Sequence, residues 1–333
     1  MTIRKLALGT GAVVLMAGAA TAAWDEYKPL FALGYAEPEE HQLVHIPPTL
    51  KDLEESRLHP ELQDVIRRGH DLFVDTQQLR GQHVFNDMNC ASCHMDAGRQ
   101  PFSAALWPAA ITLPDYRGKN RQVNSLEERI AGCFSFSMNG QPPEYGSDTM
   151  LAITAYLQWM AKGAPMYPDE EIYGRGYGSV DEPEQEPSFA RGKEVYAQNC
   201  AICHAEDGQG LKQDGQVVFP PLWGDGSYNW GAGMSRINTS TAFIKHNMPL
   251  GQPNSLSDQE AWDVAFYMNS HERPQDPRYT GDVHETREKY ANFHGHTAYG
   301  TVREVDGHLL GDHDNTGEKD FLRPEILRSR TFD

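Results

Sequence analysis

From Glu61 onward apolar residues return on one helical face, as Leu62, Val65, Ile66, Leu72 and Phe73, and the spacing predicts a helix leading towards Cys90. A second helix is predicted from Ala261 to Met268, opened by Ser257 and Glu260 in the spacing of a capping box. Residues 24–58 carry Pro29, Pro38, Pro47 and Pro48, which interrupt any helix, so this stretch reads as an extended arm lying on the folded domains. Residues 164–186 hold Pro165, Pro168, Pro183, several glycines and an acidic run, and read as a linker. After Arg273 the periodicity is lost. The tail, 274–333, is polar, charged and His-rich, and is expected to wrap the surface, with disorder in its last twenty residues.

The patterned regions repeat. Arg68-Gly69-His70-Asp71-Leu72-Phe73 answers Arg191-Gly192-Lys193-Glu194-Val195-Tyr196, each ahead of a Cys-x-x-Cys-His. Setting His94 on His204 fixes an offset that places Gly98 on Gly208, Met138 on Met248, Ser147-Asp148 on Ser257-Asp258 and Tyr156 on Phe266. The fold class that follows is all-α: two small helical domains, 59–163 and 187–273, joined by the linker, with an extended N-terminal arm and an irregular C-terminal tail.

Residues 1–23 run from Arg4 and Lys5 through the apolar Leu6–Ala20 to small residues, the order of a secretory signal peptide cleaved near Ala23. Left uncleaved, the segment would be a membrane anchor; cleaved, it delivers the chain to the periplasm. The formal charge of -18 becomes -20 once Arg4 and Lys5 are removed. That acidity excludes nucleic acid as a partner and permits a basic redox protein.

Five cysteines are present, and four lie in Cys90-Ala91-Ser92-Cys93-His94 and Cys200-Ala201-Ile202-Cys203-His204. Each stretch reads as a c-type haem attachment site, in which the thiols add to haem vinyl groups and the histidine ligates iron. A zinc knuckle shares the spacing, but export, duplication and the later methionines point to two covalently bound haem c groups. His284, His294, His296, His308 and His313 in the tail have metal-binding chemistry, although solvated histidines are the commoner outcome.

In the second half, Met248 before Pro249 is the natural thioether ligand opposite His204, with Lys245 and His246 as rivals. In the first half two candidates face His94. Repeat symmetry points to Met138. The fifth cysteine, Cys133, points the other way, since metal binding would explain an unpaired exported thiol and thiolate is the stronger donor to ferric iron. Between Arg99 and Asn124 an acidic chain concentrates Arg99, Arg117, Lys119 and Arg121 against the single acid Asp115. Arg129 stands one helical turn before Cys133. The cluster reads as an anion funnel or as counterions for haem propionates.

Each half, with helix, CxxCH, loop, distal ligand and closing helix in that order, resembles the class I cytochrome c fold. More specifically, Glu128-Arg129-Ile130, Cys133-Phe134, Ser137-Met138-Asn139-Gly140, Pro220-Pro221-Leu222-Trp223-Gly224 and Gly231-Ala232-Gly233-Met234 resemble the dihaem thiosulfate dehydrogenases, over residues 66–277. The resemblance implies coupling of two thiosulfates to tetrathionate with release of two electrons, or the reverse. It implies a His94/Cys133 pair on the catalytic haem 1 and a His204/Met248 pair on the electron-transfer haem 2. Arg129 and Ser137, with Lys119 and Arg121, are the implied substrate residues, and a small cytochrome c or another redox protein is the implied electron partner. Where some members carry Lys before the distal methionine, this chain has Asn247. The rival classes are a non-catalytic dihaem carrier, which leaves Cys133 and the basic stretch unused, and a dihaem peroxidase, whose own oxidant would attack Cys133.

Overall fold

The computed structural model describes residues 34–118, 120–291, 296–302 and 308–313. The signal segment, the first ten residues of the arm, Lys119, His294 and the last twenty residues, for which disorder was expected, lie outside the described residues.

The first half is framed by two helices. Helix α1, Pro60–Val74, starts with Pro at its first turn, where no N–H is needed, and with His59 accepting from the Glu61 N–H. It buries Ile66, Gly69, Leu72 and Phe73, while Leu62 at the start of the expected stripe stands 42% exposed. After the one-and-a-half-turn α2, Trp107–Thr112, and α3, Leu126–Phe136, the half closes with α4, Asp148–Met160, capped by Ser147. The second half repeats the scheme with α5, Phe189–Asn199, α6, Ile237–Asn247, and α7, Asp258–Asn269, whose Ser257/Glu260 capping box is formed.

Both halves lock their first and last helices at a glycine. A Cβ on Gly69 would lie 2.0 Å from the Ala152 carbonyl oxygen, and one on Gly192 would lie 2.1 Å from that of Asp263. Only a missing side chain lets the backbones approach this closely. The same crossings correct the repeat register. Gly69 meets Tyr156 and Gly192 meets Tyr267, so Tyr267, not Phe266, is the counterpart of Tyr156. The N-caps keep the ungapped offset, but the second closing helix packs one residue further along, about 100° of helical rotation.

Three features depart from the helical reading. Two antiparallel hairpins interrupt the helices: β1, Asp115–Arg117, with β2, Gln122–Asn124, and β3, Leu211–Gln213, with β4, Gln216–Phe219. The Pro-rich arm contains a short helix, Leu50–Glu54, because Thr49 and Asp52 form a complete capping box between the prolines. The tail does more than wrap the surface, since Val283, Ala298, Tyr299, Leu309 and Leu310 close a small core with Trp230.

The two main cores meet at a seam. Tyr228, Ala232, Met234 and Phe243, from the second half of the sequence, join the first core with Phe134, Phe136 and Tyr156. Trp223, Ile244, Trp262 and Tyr267 anchor the second, and Met248 packs against both. The arm contributes Tyr35, whose hydroxyl donates to Asn247 at 3.3 Å. None of the helices among the described residues is long and apolar enough to cross a membrane.

Candidate active site

The two CxxCH motifs prepare their histidines in the same way. His94 Nδ1 donates to the Ala104 carbonyl at 2.7 Å and His204 Nδ1 donates to the Pro220 carbonyl at 2.9 Å. A carbonyl can only accept, so each ring is held with its Nε2 lone pair available to a metal. Gly98 and Gly208 turn the chain beneath them with φ of +86° and +70°, values that an L side chain rarely adopts. Burial lowers the pKa of His204, which favours the neutral ring a metal requires.

A cavity of about 630 Å³ opens above the first motif, lined by Cys90, Cys93, His94, Cys133, Ser137 and Met138, among others. Its size and its thiol, imidazole and apolar walls fit a covalently held porphyrin. Cys133 enters from α3, whose Ser125/Glu128 capping box starts the helix four residues before Arg129 presents the same face. Arg129 Nη1 donates to Cys133 Sγ at 2.9 Å. Burial opposes ionisation of this thiol, but the adjacent Arg129 charge, with further help from His94 and Arg117, brings it down to about 6. Reciprocally, the Cys133 charge raises the Arg129 pKa.

Further arginines come from places far apart in the chain. Arg117, on β1, lines the cavity and is lowered to about 10 by burial and then by Arg129. Arg236 enters from the N-terminus of α6 and is also lowered to about 10, by burial and then by Arg278. Arg278 is held by Asp276 at 2.6 Å and lies between the rings of Phe136 and Tyr290, 4.8 and 4.6 Å away. Arg175 stands at the exposed rim. Against these guanidinium groups the lining includes the carboxylates of Asp115 and Glu128, and Glu128 is occupied by the Ser125 N–H.

The structure thus brings Cys133, Arg129 and Ser137 to one wall. Arg121 is exposed and outside the cavity lining, Lys119 lies outside the described residues, and Arg99 braces the arm through the Pro47 carbonyl at 2.8 Å. Arg236 and Arg278 were not anticipated from sequence, and neither was Tyr177, which reaches the cavity from the linker. In the second half Lys245 is committed to Asp258 and the Leu256 carbonyl, each at 2.7 Å. His246 spends both ring nitrogens on Asn254 and Ser179, each at 2.9 Å. Among the described residues no group of three His, Cys, Asp or Glu side chains is gathered for a metal; His313 instead contacts Glu272 at 2.9 Å.

Comparison with known proteins agrees with this architecture. Residues 80–166 match the SoxA/TsdA cytochrome c domain, and residues 187–268 match the family described as cytochrome C oxidase, cbb3-type, subunit III. The chain is 52% identical over 266 residues to a thiosulfate dehydrogenase of Stutzerimonas stutzeri strain A1501, covering 80% of this chain and 84% of that one. It is 48% identical over 250 residues to one from Thiomonas intermedia strain K12, covering 74% and 77%. The solved thiosulfate dehydrogenase (TsdBA) of Marichromatium purpuratum superposes with a TM-score of 0.75 at 43% identity, over 80% of this chain and 57% of that longer one. Two cytochrome c domains hold two covalently bound haem c groups.

Proposed function

Because the chain belongs to the thiosulfate dehydrogenase family, we propose that it joins two thiosulfates into tetrathionate at Cys133 and, under reducing conditions, runs the same site in reverse. The observation that carries this reading is the Cys133–Arg129 contact of 2.9 Å inside an arginine-lined cavity. Two dianions brought to about 4 Å repel by about 16 kcal/mol at an effective dielectric near 20, as four unit pairs of about 4 each. Arg129, Arg117 and Arg236 offset that repulsion, and Ser137, one turn beyond Cys133, offers a hydroxyl to a sulfonate oxygen.

Cys133 and His94 would hold haem 1, and Met248 and His204 would hold haem 2. The commitments of Lys245 and His246 support Met248 in that role. When bound, the two haems supply a two-electron sink, one electron each. The Cys133 thiolate bonds to the terminal sulfur of one thiosulfate, giving a Cys–S–S–SO₃⁻ adduct as two electrons leave. The terminal sulfur of a second thiosulfate then attacks the adduct's outer sulfur. The bond to Cys133 breaks, the thiolate is restored as leaving group and tetrathionate departs, so charge and sulfur balance without a further reactant. A non-catalytic dihaem carrier would need neither this thiol nor its arginines. The proposed setting is the periplasm, with a small cytochrome c or another redox protein exchanging electrons at haem 2.

The test uses the full-length dihaem protein. Thiosulfate should reduce the oxidised haems and tetrathionate should oxidise the reduced ones. Failure of thiosulfate to reduce either haem would overturn the reading.

A further inference from the structure

The stretch from Gln100 to Ala104 touches both histidine-proximal and methionine-proximal parts of the molecule. At one end the Ala104 carbonyl accepts from His94 Nδ1 at 2.7 Å, the contact that orients the first histidine. At the other end Gln100 Nε2 donates to Asn247 Oδ1 at 2.9 Å and to the Tyr35 hydroxyl at 2.8 Å, and lies 3.7 Å from Met95 Sδ. Between them the Phe102 carbonyl accepts from Asn247 Nδ2 at 2.8 Å. Asn247 is the residue immediately before Met248.

Asn247 is 1% exposed, and each hydrogen-bonding position of its amide is filled. Nδ2 donates to the carbonyls of Phe102 and Phe243, the second at 3.0 Å, while Oδ1 accepts from Gln100 and from the Tyr35 hydroxyl, the latter at 3.3 Å. Only Phe243 belongs to α6, the helix that Asn247 ends. The other three partners come from the arm and the first half. Phe102 offers its carbonyl from a backbone with φ of +59°, a conformation that a bulky aromatic rarely adopts. It is held there by its N–H, which donates to the Gly174 carbonyl at 2.9 Å, and by its ring, stacked on Tyr35 with centres 6.0 Å apart. Strain of this kind persists only where the surroundings over-determine it.

Met248 leaves α6 in an extended conformation, with φ of -126° and ψ of 148°. Where its thioether stands therefore depends on where the last residue of α6 is held. We propose that Gln100, supported by Tyr35, is a positioning residue for haem 2: acting through Asn247, it fixes the end of α6 and so keeps the Met248 thioether in place as a ligand. The proposal rests on Met248 as the haem 2 ligand. It makes the firmness of that ligation a property of the first half and the arm. A thioether ligand raises a haem's potential, so a loosened one lowers it.

The test is a spectroelectrochemical titration of the full-length dihaem protein as wild type, Gln100→Leu and Tyr35→Phe, with near-infrared magnetic circular dichroism of the oxidised forms to read the axial ligands. Gln100→Leu keeps the bulk and removes the donors; Tyr35→Phe removes the hydroxyl alone. In Gln100→Leu haem 2 should become harder to reduce, by about tenfold in its ferrous-to-ferric ratio at fixed potential, about 59 mV for one electron. Its thioether signature should weaken as well. Haem 1 should keep its midpoint, because Gln100 lies outside the lining of the first cavity and the contact from His94 to Ala104 is left in place. Tyr35→Phe should move the same haem in the same direction by less, and it decides the matter by the same reading if the leucine variant does not assemble. An unmoved haem 2 in both variants, with loss of thermal stability alone, would make the network a strut between the halves and overturn the proposal while leaving Met248 as ligand. A shift confined to haem 1 would overturn it too. A wild-type protein without any thioether signature would overturn the ligand assignment, and the proposal with it.

Discussion

Replacing Arg129 by methionine removes one charge while nearly conserving volume, so its consequences are chiefly electrostatic. A thiosulfate dianion about 5 Å from the guanidinium is attracted by about 6 to 7 kcal/mol at an effective dielectric near 20. Arg117 and Arg236 remain on the cavity wall, and water enters the vacated volume, so part of this is recovered. Truncating one member of a buried charge pair commonly costs about 2 to 5 kcal/mol. A net loss of about 3 kcal/mol corresponds to about a hundredfold fall in kcat/KM. Arg129 also holds the Cys133 thiol down against its burial, so the variant loses thiolate character together with substrate attraction. The assay is initial-rate haem reduction by thiosulfate across a series of ionic strengths, after both haems have been confirmed by pyridine haemochrome. The expected result is the fall in kcat/KM together with a flatter salt dependence. A variant within threefold of wild type, with its salt slope intact, would assign Arg129 to a propionate or a purely structural pair.

Three further perturbations separate the roles. Cys133→Met should retain both haems and a conventional thioether ligand yet lose activity in both directions, because a thioether cannot form the thiosulfate adduct; near-wild-type turnover would sink the covalent step. Gly192→Ala would place a Cβ 2.1 Å from the Asp263 carbonyl oxygen, in a residue pinned by Arg191 at 2.6 Å, and should cost about 1 to 3 kcal/mol or more in thermal unfolding; a melting temperature within about 2 °C of wild type would show that the crossing can relax. At Glu272, burial works against ionisation but the His313 hydrogen bond lowers its pKa overall, while burial works against charging His313 but Glu272 raises it overall. The Glu272 contribution is lost as pH falls through its lowered value, and the His313 contribution is lost as pH rises through its raised one. Protection of the tail against limited proteolysis should therefore peak between about pH 5 and 6.5 and decline above; protection rising steadily to pH 8 would contradict this pairing.

The chemistry encoded locally was legible in the sequence. Two CxxCH motifs, a thiol four residues after an arginine, and the Ser257/Glu260 capping box are each specified within about one helical turn, so spacing alone brought them out. What escaped was set by distance or by short range without period. Three-residue strands such as Asp115–Arg117 carry too few positions for an alternation to show. Arg236 and Arg278 reach the first cavity only because the second half folds against it, a tertiary fact with no local signature. The one-residue shift that pairs Tyr156 with Tyr267 was hidden by an ungapped alignment whose capping residues remained in register. Arg273 reads in sequence as one more cation after a helix, yet it is buried against Tyr228 and Trp230, which arrive from some forty residues earlier.

Met248 packs against both hydrophobic cores while facing the second CxxCH half. Any widening of the seam must therefore drag on the thioether proposed to hold iron, and such a bond is visible as a weak long-wavelength absorption band. Separation of the halves would register as a change of colour before either half unfolded. The same coupling argues against treating the chain as two exchangeable cassettes. A graft of the second half onto another scaffold would bring the methionine but leave behind part of the wall it leans on.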